Sequence, residues 1–137
     1  MTRYLLDTTA LVDFSKDREP ARSRILAMID RDDEVGICPV NVAEFYAGLP
    51  PEARESWDEF FNALAFWDLT IEVAVRAGGY RYEFARRGLP LSTTDALIAA
   101  ASVAHGAILV TDNPKDYPMD DVRLLSLRQP ESRADPG

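Results

Sequence analysis

Short apolar runs alternate with stretches of helical spacing from one end of this chain to the other, and few folds accept that order. Arg3-Tyr4-Leu5-Leu6 is an apolar run that stops at Asp7, and helical spacing follows from Thr8 to Phe14. Pro20 suits the first turn of a second helix, with Ile25, Leu26 and Ile29 on one face. A strand at 35–38 precedes a helix over 40–49 that ends at Gly48 and the Pro50-Pro51 pair. A helix over 52–64 and a short strand at 66–69 come next. Thr70 caps a long helix over 71–87, interrupted at Gly78-Gly79 and stopped at Gly88. A loop at 89–93 leads into a helix opening around Asp95, apolar on nearly all sides and ended by Gly106. Residues 107–111 read as a fully buried strand, and 122–127 as a last one. Such alternation implies an α/β fold whose mostly parallel sheet is covered on both faces. In such sheets a ligand binds beyond the carboxyl ends of the strands, where strand order reverses.

The chain has 137 residues, which fits one domain over 1–128. From Gln129 onward Pro, Ser, Asp and Gly dominate, so 129–137 is expected to be a flexible C-terminal tail. No apolar run has the ~18–20 residues of a membrane helix, and the N-terminus lacks a basic-then-apolar signal pattern. Both point to a cytoplasmic protein without a membrane partner. One cysteine excludes an internal disulfide framework and a thiolate zinc cage. Cys38, in an apolar stretch, reads as a buried structural residue.

Charge sets the main tension. Acids outnumber bases 23 to 15, for a net charge of −8, whereas a chain that grips nucleic acid usually shows a basic face. Either the acids only solvate the surface, or some converge on a cation that reverses the local sign. Their positions favour the second. Asp7 follows the first strand, where it also suits the N-cap of the next helix. Glu44 sits among apolar neighbours, although Asn41 and Gly48 allow an exposed helical stripe there. Asp95 stands in the first turn of the most apolar helix, where Ser92 can complete a capping box. Thr111-Asp112-Asn113-Pro114-Lys115-Asp116 follows the most hydrophobic strand, at another carboxyl edge, where turn chemistry alone also favours such residues. Oxygen ligands without a histidine or thiolate set suit Mg2+, with Mn2+ as substitute. One or two such ions would serve phosphodiester hydrolysis.

At these residues the chain resembles the PIN-domain family and, within it, the VapC toxins of bacterial toxin–antitoxin modules. The matching stretches are Tyr4-Leu5-Leu6-Asp7-Thr8-Thr9-Ala10-Leu11-Val12, Val40-Asn41-Val42-Ala43-Glu44-Phe45-Tyr46-Ala47-Gly48-Leu49, Leu91-Ser92-Thr93-Thr94-Asp95-Ala96-Leu97-Ile98-Ala99-Ala100-Ala101 and Leu109-Val110-Thr111-Asp112-Asn113-Pro114-Lys115-Asp116-Tyr117. They occur in the family's order and span nearly the whole chain. The resemblance implies a three-layer α/β/α fold, metal-dependent endoribonuclease activity, homodimerisation and inhibition by a cognate VapB-type antitoxin. It carries catalytic and metal-binding roles to Asp7, Glu44 and Asp95, with Asp116 as fourth acid, Thr8 or Thr9 as the small polar residue after the first acid, and Thr111 and Asn113 as further supporting polar residues. Asp112 stands where many members have a basic or neutral residue, which leaves the fourth ligand open among Asp112, Asn113 and Asp116.

Other readings compete. A haloacid-dehalogenase-like phosphatase needs a second acid two residues after the first, where this chain has Thr9. A PIN-like module that only binds RNA or protein would lack the cleavage activity. For RNA contacts, Arg81, Arg86 and Arg87 interleave with aromatics just before the loop to Asp95, although cations also simply suit a helix C-terminus. The single histidine, His105, reads as a helix-end residue.

Overall fold

A computed structural model describes residues 1–128; the expected tail at 129–137 lies outside them. The elements run β1 (Arg3–Leu6), α1 (Thr8–Ser15), α2 (Ala21–Asp30), β2 (Glu34–Ile37), α3 (Pro39–Ala47), α4 (Arg54–Asn62), β3 (Ala65–Phe66), α5 (Ile71–Arg86), α6 (Thr93–Ala104), β4 (Ile108–Thr111) and β5 (Leu124–Ser126). All five strands pair in parallel in the order β3-β2-β1-β4-β5. The order reverses at β1, which lies between β2 and β4.

Adjacent side chains of one strand point to opposite faces, and the core divides accordingly. Leu5 and Leu109 join Val73, Ala77, Ile98 and Ala100 under α5 and α6. Leu6 and Val110 join Leu11, Ile25, Phe45 and Phe61 under α1 to α4. The chain is therefore a three-layer α/β/α sandwich, as its alternation implied, with a sheet that is parallel throughout.

Four local expectations change. The α5 helix runs unbroken through Gly78-Gly79. Each glycine costs about 1 kcal/mol in a helix, but Val73, Ala77, Tyr80 and Phe84 bury a continuous stripe that keeps the helix whole. In α2 the buried stripe is Ala21, Ile25 and Met28, one helical step each, which leaves Leu26 37% exposed. The third strand is only two residues long, because Trp67 turns inward to cover Gly36 of β2 while its backbone N–H still donates to Ile37 O at 2.9 Å. The last strand is also shorter than the run at 122–127, with Val122 and Leu127 packing into the two cores beside it.

A Cβ on Gly36 would collide with the Trp67 ring. Gly36→Ala is therefore expected to destabilise the protein by about 1–3 kcal/mol, the usual cost of overpacking. Urea denaturation checks this, and an unchanged midpoint would mean that the indole moves aside freely.

Candidate active site

The acids gather at the reversal of strand order. Asp7 N–H donates to Val110 O at 3.0 Å, one step beyond the β1–β4 ladder, and the side chain then caps α1. It is only 2% exposed. Its Oδ1 accepts from Ala10 N–H at 2.9 Å and from Thr9 Oγ1 at 2.7 Å. Its Oδ2 accepts from the Tyr117 hydroxyl at 3.0 Å. Asp7 thus caps α1 with one oxygen while its second oxygen is held by a residue far away in sequence. Burial raises the Asp7 carboxyl above its ordinary value, while hydrogen bonds from Thr111, Ala10, Thr9 and Tyr117 pull it back.

Asp95 lies in the first turn of α6, which Ser92 caps by accepting the Asp95 N–H at 3.1 Å. It is half-buried, and burial raises its carboxyl most, opposed by Ser92. The charges of Asp116, Asp7 and Glu44 then raise it further. Four acids from α1's start, α3, α6 and the turn after β4 thus share one electrostatic field.

Glu44 is exposed and accepts a short hydrogen bond from Thr8 Oγ1. Asn41, which suggested an exposed stripe beside it, is instead fully buried. Its Oδ1 takes the Cys38 N–H at 2.9 Å and its Nδ2 donates to Leu6 O. That amide pins the start of α3 to the end of β1 and so sets Glu44 one turn later. Asp116 is half-buried and accepts from Asn113 Nδ2 at 2.9 Å. Thr111 is fully buried, and its Oγ1 accepts the Asn113 N–H at 2.9 Å.

Asp112 belongs to a different group. Burial raises its carboxyl, and the next cause is the charge of Asp13 on α1. Asp13 pairs with Arg18 at 3.0 Å, and Asp112 with Arg128 at 3.5 Å. Its backbone N–H alone reaches the first group, donating to Thr9 Oγ1 at 2.9 Å.

Two residues matter more than their sequence context suggested. Thr9 joins Asp7 to the turn after β4, and Tyr117 reaches Asp7 from 110 positions away. Spacing gives no sign of either contact. Cys38 is buried, with its thiol raised chiefly by that burial. His105 ends α6 and stacks on Trp67 at 5.2 Å.

Among the described residues no three Asp, Glu, His or Cys side chains stand close enough to cage an ion directly. Magnesium keeps much of its water shell and needs only one or two direct carboxylates. The all-oxygen donors and the mutual repulsion at Asp95 fit such an ion; a zinc cage they do not fit.

Arg81 and Arg86 of α5 and Arg87 at its end are engaged at the surface. Arg81 Nε donates to Leu91 O at 3.0 Å in the loop before α6. Arg86 lies 3.5 Å over the exposed Tyr82 ring, and Arg87 pairs with Glu83 at 3.0 Å. No helix among the described residues is long and apolar enough to cross a membrane.

The PIN-domain family pattern matches residues 4–122. Ribonuclease VapC19 of Mycobacterium tuberculosis is 34% identical over 119 residues, covering 84% of this chain and 92% of that protein. The tRNA(fMet)-specific endonuclease VapC of Salmonella typhimurium is 28% identical over 123 residues, 85% of this chain and 91% of that one. Among solved structures, the DNA-bound VapBC from Salmonella typhimurium aligns with a TM-score of 0.77 and 25% identity, covering 93% of this chain and 99% of its counterpart. VapBC2 from Rickettsia felis, bound to a DNA fragment from its promoter, gives 0.79 at 23% identity, over 91% and 98% of the two chains.

Proposed function

The chain belongs to the PIN-domain family, and on that premise we propose that it is a magnesium-dependent endoribonuclease toxin of the VapC type. The observation that carries the chemistry is the shared field of Asp7, Glu44, Asp95 and Asp116 at the reversal of strand order. The names of the ribonuclease relatives support RNA as substrate. The VapBC complexes support a VapB-type antitoxin as the partner that silences it. A homodimer working in the cytoplasm completes the reading.

Asp7 and Asp95 would hold the ion, with Glu44 and Asp116 beside them; Mn2+ would serve in its place. When bound, the ion activates a water and offsets charge on the phosphoryl oxygen. Thr8 steadies Glu44, Asn113 steadies Asp116, and Thr9 and Thr111 brace Asp7. The test is incubation of purified protein, free of antitoxin, with total RNA and Mg2+, followed by mapping of the cut ends. Discrete cuts that vanish with a chelator support the proposal. Binding without cleavage makes the protein a non-catalytic module, and phosphate release from a small monoester makes it a phosphatase.

Arg81, Arg86 and Arg87 would hold the RNA backbone beside the ion. With a net charge of −8, attraction must come from such a local strip. Arg86→Ala with Arg87→Ala is expected to make log affinity against log salt shallower by about 1.4, two phosphate contacts' worth on a single strand. The measurement uses Ca2+ to suppress cleavage. An unchanged slope removes both residues from the RNA path.

A further inference from the structure

Asp7 has more hydrogen bonds than an N-cap requires. A capping aspartate needs one oxygen on the helix N–H groups, and Oδ1 fills that role with Ala10 N–H while also holding Thr9. Oδ2 is held from elsewhere, by Tyr117 at 3.0 Å. Tyr117 is 3% exposed, and its ring packs in the same core as Leu5, Leu109 and Met119. A phenylalanine would fill that volume equally, so packing does not account for the hydroxyl. A phenol is protonated at neutral pH, so the hydroxyl donates to the carboxylate. The residue directly follows the Pro114–Asp116 turn, which places it one position from Asp116.

We propose that Tyr117 is a positioning residue for cleavage: its hydroxyl fixes Oδ2 of Asp7 and thereby sets how tightly Asp7 holds a divalent cation. The proposal rests on the metal-dependent reading above. A carboxylate oxygen has two lone pairs, and the hydroxyl sets which way those of Oδ2 face, and so the direction from which an ion reaches Asp7. Partners of this kind fix a ligand's orientation, and their loss typically weakens metal binding ~10–100-fold. The turn after β4 thus carries both an acid and the clamp on the acid at β1.

The experiment is a Mg2+ titration of wild type and Tyr117→Phe, followed by calorimetry and by the rise of melting temperature, alongside cleavage at varied Mg2+. Tyr80→Phe is the control, because its buried hydroxyl also bonds a carboxylate, Asp121 at 2.9 Å, but away from these acids. The expected result is a Kd for Mg2+ raised ~10–100-fold in Tyr117→Phe only. Half-maximal cleavage then moves to higher Mg2+ by the same factor, with kcat at saturation near wild type. Equal Mg2+ affinity in wild type and Tyr117→Phe overturns the role of Tyr117 and leaves the metal reading standing. An equal loss in Tyr80→Phe also overturns it, as a general effect of stability. A wild type that binds no Mg2+ overturns both.

Discussion

Asp7→Asn and Asp95→Asn are each expected to lower RNA cleavage by roughly 100- to 1000-fold or more. A ligand's loss forfeits several kcal/mol of charge stabilisation, and each 1.36 kcal/mol is tenfold in rate. Neither variant should fail by unfolding. Asp7 is buried and its ionised form is disfavoured there, so removing the charge relieves the metal-free fold. An asparagine also keeps an oxygen for Ala10 N–H and Thr9. At pH 8 without metal, Asp7→Asn should melt at or above the wild-type temperature while cutting no RNA. Near-normal cleavage by either purified variant would strip that residue of its role.

The second large effect is a pH-dependent instability that magnesium cures. The Asp7 and Asp95 carboxyls both lie above the ordinary 3.8 in the folded chain. A carboxyl raised on folding stabilises the fold below its unfolded value, and that contribution is lost as pH climbs through the raised value. The metal-free protein should therefore lose stability through these two groups from about pH 4 upward. The exposed Glu19 and Asp33 are lowered and act oppositely, being lost on acidification. Subtracting the Asp7→Asn, Asp95→Asn curve from the wild-type curve isolates the two raised acids. Because Mg2+ binds the native state alone, a hundredfold excess over Kd adds ~2.7 kcal/mol, a rise on the order of 10 °C for a chain this long. A melting temperature indifferent to saturating Mg2+ above pH 7 would dismiss the ion.

Local residues announced much of this. The parallel sheet was legible because 107–111 is too apolar for a surface strand and alternates with helical spacing on its N-terminal side. Asp7 stood out as a cap directly after the first strand, and Asp95 as an acid in the first turn of the most apolar helix. Glu44 was judged by neighbours that face elsewhere: Asn41 carries a backbone tie invisible in the spacing. Asp112 looked equivalent to Asp116, yet the turn after β4 sends their side chains to different partners. The short β3 and the outward Leu26 depend on Trp67 and on the pitch of α2, which only packing settles. The Tyr117–Asp7 contact joins opposite ends of the chain, and no local pattern encodes it.

That 110-position separation has a temporal meaning. A ribosome releases Asp7 first, then Glu44 and Asp95, and only much later Asp116 and Tyr117. Until β4 is made, β1 has a partner on one edge alone, and the turn that brings Asp116 and Tyr117 does not yet exist. The growing chain therefore passes through synthesis with its acids apart. The four acids and Tyr117 come together only when nearly the whole domain has emerged.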